Sequence, residues 1–316
     1  MIIGSLPLIG ISYQNAAKDT QYIQELAYNR TAITKIYEKA IELGLTTFAA
    51  SPFPESQVTK NHVSELKRLS ETHPISVIPC VGIPLGLQGT VIDVYRRWAT
   101  VYRTYGEMNV PPSSTGSILK TFLTDPILQF RPNWKENLSI AVKDSKWYSS
   151  SEISAIHLFT REVEENLSKL EKLPIQEIEY GSELDFLFAI ERLDLVGELI
   201  DIARTLGYEV AFGIHHAGLS LSKILEASVE AQTILTPINP LGVMMFPSRD
   251  SAVPLIKKTR EKYQIIGIKC IAGGRIRPSH AFKYLHEKVD DFMVGVASIS
   301  ELLEAFEAAK NAGLKL

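Results

Sequence analysis

Cysteine is scarce. Cys80 and Cys270 are the only two in 316 residues, far apart and outside any CxxC pattern. That excludes a disulfide framework and points to a reducing, cytoplasmic setting. No apolar run reaches the ~18 residues needed to cross a bilayer, so no membrane partner is expected. The opening residues Met1 to Pro7 lack a basic segment and are too short for a secretion signal. Basic clusters are missing too, and the net charge is -3, which leaves nucleic acid out as an expected partner. Neither a heptad array nor a low-complexity tract occurs.

What is present is a long apolar-rich chain, 45% hydrophobic, with strand and helix patterns alternating along it. The stretch Ile265 to Ser298 sets the pattern: strand, glycine turn, helix, strand, glycine turn. Reading in order, strands are expected at 7–12, 46–51, 75–82, 184–191, 209–214, 232–238, 265–272 and 291–296. Helices are expected at 31–43, 57–69, 91–105, 152–173, 195–206, 220–228, 251–263, 278–287 and 299–310. Residues 13–30 read as loop. Ser149-x-x-Glu152 and Ser298-x-x-Glu301 have capping-box spacing, Gly44 and Gly207 sit where helices end, and Pro174 stops another. Strands this apolar are buried on both faces. Eight of them, joined by helical crossovers, give an α/β fold: a single (β/α)8 TIM barrel forming one domain, 1–316.

Residues 83–148 interrupt the rhythm between strand 3 and helix 3. The stretch is too long for a structureless loop and carries Trp98, Trp134, Trp147 and Tyr148. It leaves from the C-terminal end of a strand, the face on which such barrels do chemistry. An insertion there is a lid or substrate-shaping element, or else a surface decoration or a contact in a homo-oligomer.

The residues just after each strand are the functional candidates. Gly273 and Gly274 free backbone N–H groups for an anion, Arg275 adds charge, and Gly295 to Ser298 opens a helix N-terminus. Together they suggest a phosphate or cofactor site, although glycines also simply permit tight turns. His215 and His216 are adjacent, so in a strand only one can face the barrel mouth. With Glu191, one of them could exchange protons. Lys269, inside an apolar strand, could act as a base or nucleophile, pair with Glu191, or bind an anion. Ser51 and Asn239 are positioned to contact substrate. With no HxH or HExxH motif and few converging ligands, no metal site is expected.

Several stretches resemble the aldo-keto reductases. Ala40 to Phe48 is similar to that family's passage from helix 1 to strand 2, and Glu164 to Leu170 to the helix before strand 4. Asn239-Pro240-Leu241 matches its strand 6 ending, and Val294 to Ser298 its strand 8 turn. The resemblance implies the barrel, NADPH as cofactor and carbonyl reduction by an Asp, Tyr, Lys and His tetrad. At the matching places this chain has Ala49 for the Asp, Phe53 near the Tyr position, Val81-Gly82 for the Lys and Glu191 for the His. His215-His216 stands where a nicotinamide-holding Ser-Asn pair is implied, and Phe306 where an Asn would hold adenosine. The expectation is therefore an aldo-keto-reductase-like barrel without the tetrad: a non-redox enzyme on a small anionic or phosphorylated metabolite. The alternatives are a divergent NADP-dependent oxidoreductase and a non-catalytic ligand-binding or scaffold protein.

Overall fold

Eight parallel strands close into a barrel in this computed structural model, which describes residues 1–108, 112–227 and 229–316. The barrel strands are β1 (Ile2–Gly4), β2 (Thr47–Ala50), β3 (Ser76–Val81), β4 (Ile178–Tyr180), β5 (Val210–Gly213), β6 (Thr233–Pro237), β7 (Gln264–Ile268) and β8 (Asp291–Gly295). Each pairs with its sequence neighbours, and β8 returns to β1 through Ile2↔Met293 and Gly4↔Gly295. Helices on the outside bury their apolar stripes against the strands; Ile33, Ile36, Tyr37 and Ala40 do so from Arg30–Glu42.

Strand alternation divides the barrel strands into an outer and an inner set. Phe48, Val77, Tyr180, Phe212 and Ile234 face outward into the main core under the helices. Ile2, Ile78, Ala211, Leu235, Ile266 and Ile268, with Met293, form a separate apolar plug inside the barrel. Above the plug the inward positions turn small. Gly4, Ala49, Gly82, Gly181 and Gly295 line a cavity at the strands' C-terminal ends. With almost no side chain at five of these places, the barrel cannot fill its own mouth.

Two expected strands fall elsewhere. Pro7 to Ile9 lies in a 3-10 turn, and the strand precedes it at Ile2–Gly4. The apolar run Leu184 to Ile190 is mostly the helix Glu183–Ala189, buried on almost every side, while β4 is the short Ile178–Tyr180. A short apolar run cannot be assigned by periodicity when a helix is buried all round. Residues 13–30 contain a helix, Ala16–Tyr22, and a π-turn, Ile23–Ala27. The expected helix end at Ser228 lies outside the described residues.

Between β3 and β4 the chain makes a long excursion. A small antiparallel sheet staples its two ends: Leu85–Leu87 pairs with Thr90–Val91 and with His157–Leu158. That short strand also breaks the helix expected at 152–173 into Ser150–Ala155 and Thr160–Ser168. The helices Val94–Glu107, Pro112–Thr124 and Trp134–Lys143 pack against one another. Val101, Tyr105, Phe122 and Trp134 join the same core cluster as the barrel's outer layer. Residues 109–111 of the expected insertion lie outside the described set. Among the described residues no helix is long and apolar enough to cross a membrane.

Candidate functional site

The cavity at the barrel mouth has a volume of about 1000 Å3, bounded by strand ends and by residues 97–132 of the excursion. At its floor lies Glu179, the middle residue of β4, which alternation points inward. It is 8% exposed. Its ionisation is pushed up to about 7, first by burial, with Glu177 adding to the effect and Lys269 and a Cys80 hydrogen bond opposing it. Burial likewise pushes the Cys80 thiol well up. Gly213 makes room for this carboxyl: a Cβ there would stand 2.6 Å from Glu179 Oε1 and 2.8 Å from the Tyr180 carbonyl oxygen.

Lys269 also reaches the cavity. After the inward Ile268, alternation would send it outward. Its backbone is left-handed instead, with φ 52°, and the side chain turns back into the mouth. Its Nζ lies 4.9 Å from the ring centre of Tyr13, which is left-handed too, at φ 59°. Such conformations in bulky residues are uncommon and gather at functional sites.

The two histidines part as alternation requires. His215 lines the cavity, and burial, then Lys269, His216 and Arg131, hold its ionisation well below 6.5, so it stays neutral. Its buried Nδ1 has no hydrogen-bond partner among the described residues. His216 touches the cavity wall but sits among Trp98, Tyr105, Phe122 and Phe246, with ring centres 4.9 to 6.0 Å away. Burial lowers it to about 3. Asp185 fixes both: it accepts the His215 and His216 backbone N–H groups at 2.7 and 2.9 Å and the Ser220 hydroxyl at 2.6 Å. Burial raises Asp185 to about 7 against these bonds.

Other expected residues are placed as follows. Ser51 lines the cavity and shares a 2.8 Å hydrogen bond with Ser5. Gly273, Gly274, Arg275 and Gly295 line it as well. The turn packs tightly, since a Cβ on Gly274 (φ 78°) would meet Gln14 Nε2 at 2.4 Å. Arg275 spends its guanidinium on the carbonyls of Ala272, at 3.0 Å, and Pro126, at 3.1 Å, tying the turn to the excursion.

Three expected residues do not join the site. Glu191 follows a helix, not a strand; its side chain is 68% exposed and pairs with Lys223 at 2.5 Å. Asn239 is buried away from the cavity. It bonds Val243 N–H and carbonyl and donates to the Lys269 carbonyl at 3.3 Å, so it positions the backbone beneath that lysine. Ser298 caps its own helix, while the Glu301 carboxylate accepts Ala297 N–H at 2.7 Å. This helix N-terminus is already satisfied by the chain's own side chains.

The sequence reading passed over Glu179, Glu183, Asp185, Tyr13, Arg97 and Arg131, all of which line the cavity. Arg97 and Glu183 pair at 2.8 Å. The signal for Glu179 lay in Ile175-Gln-Glu-Ile-Glu-Tyr-Gly181. It alternates, follows Pro174 and ends in glycine, but the richer run at 184–190 outweighs it. Among the described residues no three His, Cys, Asp or Glu side chains gather to hold a metal ion.

No family model matches the chain, and no curated protein does. Solved structures do. Two chains described as a "putative aldo-keto reductase" from Pseudomonas aeruginosa superpose with TM-scores of 0.51 and 0.50, at 14% and 13% identity. Each match covers 98% of this chain and 89% of the other. The likeness is one of fold, and it spans the whole barrel.

Proposed function

We propose that the protein is an acid–base enzyme acting on a small anionic metabolite held at the barrel mouth. The observation that carries this reading is Glu179: a buried carboxyl at the cavity floor, ionising near 7, within the field of Lys269. A group poised near neutral pH can both take and return a proton. Lys269 supplies positive charge for an oxyanion that develops as a carbon next to a carbonyl loses its proton. His215, neutral and with Nδ1 unpartnered, offers a hydrogen bond to the same oxygen or its neighbour. Here Glu179 takes the role first assigned to Glu191, and His216 holds the wall. Gly273 and Gly274 remain a candidate phosphate contact, with Arg275 holding their turn in place.

The cofactor implied by the resemblance, NADP, fits poorly at the last turn. Glu301 already occupies the N-terminus of Ile299–Asn311, and Glu301 and Glu304 line that side of the cavity. A diphosphate would meet carboxylates there, so no step is routed through it. A scaffold role would suit a mouth plugged by apolar side chains, whereas this one is open and polar.

The test is deuterium uptake. Small carboxylic and phosphorylated metabolites incubated with the enzyme in heavy water should gain deuterium, detected by mass spectrometry, and Glu179→Gln should abolish it. Exchange that persists in E179Q would sink the reading. NADP-dependent oxidoreduction, which has the fold likeness in its favour, predicts saturable quenching of tryptophan fluorescence by NADPH, since Trp98 lines the cavity.

A further inference from the structure

Arg131 faces the cavity without a counter-charge. Among the described residues it forms no ion pair and no side-chain hydrogen bond, although Arg97 is paired with Glu183 and Arg275 is bound to carbonyls. It is exposed to solvent, and its guanidinium lies 5.6 Å from the ring centre of Trp134. Its mount is rigid. Arg131 N–H donates to the Leu128 carbonyl at 2.9 Å, Trp134 N–H to the Arg131 carbonyl at 3.1 Å, and the Trp134 indole to the Phe122 carbonyl at 2.9 Å. Asp125 fixes the preceding turn by accepting Ile127 and Leu128 N–H.

Arg131 and Lys269 both act on the His215 ring, and Tyr13 lies beside both cations. The two charges therefore flank one small space above Glu179. A guanidinium fork matches a planar carboxylate through two parallel hydrogen bonds, and a lysine matches a single oxygen. Surrounding protein disfavours the bare charge on Arg131, so an anion would relieve it.

We propose that Arg131 anchors the carboxylate of a small 2-oxo or 2-hydroxy acid, with the neighbouring oxygen toward Lys269. The excursion between β3 and β4 would then select the substrate class. This rests on the acid–base reading and adds to it the anchor and the ligand chemistry.

Pyruvate is the probe, and tryptophan fluorescence the readout, because the rings of Trp134 and Trp98 are 5.0 Å apart beside Arg131. Pyruvate should give a saturable change, acetate a weaker one and uncharged pyruvamide none. Arg131→Gln should weaken pyruvate binding about tenfold or more, and Arg131→Lys should fall between. The melting temperature of R131Q should match wild type, because Arg131 supports no fold contact through its charge. E179Q should bind pyruvate at least as well as wild type. The proposal is overturned by an absent response to pyruvate, by unchanged affinity in R131Q, or by inorganic phosphate binding more tightly than pyruvate. If R131Q binds normally while E179Q loses deuterium exchange, the anchor is wrong and the acid–base reading stands.

Discussion

Glu179 ionises near 7 in the fold against 4.5 in the unfolded chain. The folded protein thus holds this proton more tightly than the unfolded chain does. Stability from the protonated carboxyl is complete below about 4.5 and is lost as pH rises toward 7. Glu179→Gln removes that loss. Its melting temperature should match wild type near about pH 5 and exceed it near about pH 8, with a gain of up to ~3 kcal/mol. A variant less stable than wild type at the higher pH would show that the ionised form is the favoured one. Lys269 makes the complementary point about single residues. Its importance was visible in the sequence as a charge inside an apolar strand, but its direction was not. A left-handed backbone angle sets that direction, and no side-chain pattern announces such an angle.

Among the elements, β4 shows where sequence reading fails. The run 184–190 is more apolar than 177–181 and longer, so it reads as the buried strand. Tertiary packing gives the strand to the weaker candidate and folds the stronger one into a helix over the mouth. Glu191 dropped out of the site and Glu179 entered it for that one reason. Where the helical period was clean, as in Arg30–Glu42 and Ile299–Asn311, the expected bounds held to within a residue or so. The excursion is held to the barrel by Asp125, 4% exposed, which accepts Ile127, Leu128 and Met244 N–H at 2.9, 3.1 and 2.7 Å. Asp125→Ala leaves three donors without acceptors and should cost ~2–4 kcal/mol in denaturant unfolding. Limited proteolysis should then cut first within the excursion; cleavage elsewhere would show that Asp125 is not its anchor.

Over the whole molecule, the barrel was legible because eight strand–helix units in series admit few other architectures. The cavity was not legible. It depends on which small residues face inward, and that needs the strand register. One core cluster runs from the barrel's outer layer into the excursion, so both parts should unfold together. The three tryptophans, at 98, 134 and 147, all lie in the excursion, whereas far-UV circular dichroism reports mainly the barrel. The two signals should share one denaturant midpoint, and an earlier tryptophan transition would mark the excursion as a separate folding unit. The short window from Glu177 to Asp185 has a further consequence. It contributes Glu179, Glu183 and Asp185 to the mouth, so most of the site's acidity is encoded in one contiguous phrase of the chain. Inserting or deleting a single residue before Glu179 would present Ile178 or Tyr180 to the cavity instead. Chemistry written so compactly is erased by one small indel, and by the same token can be carried as a short cassette into another barrel of this shape.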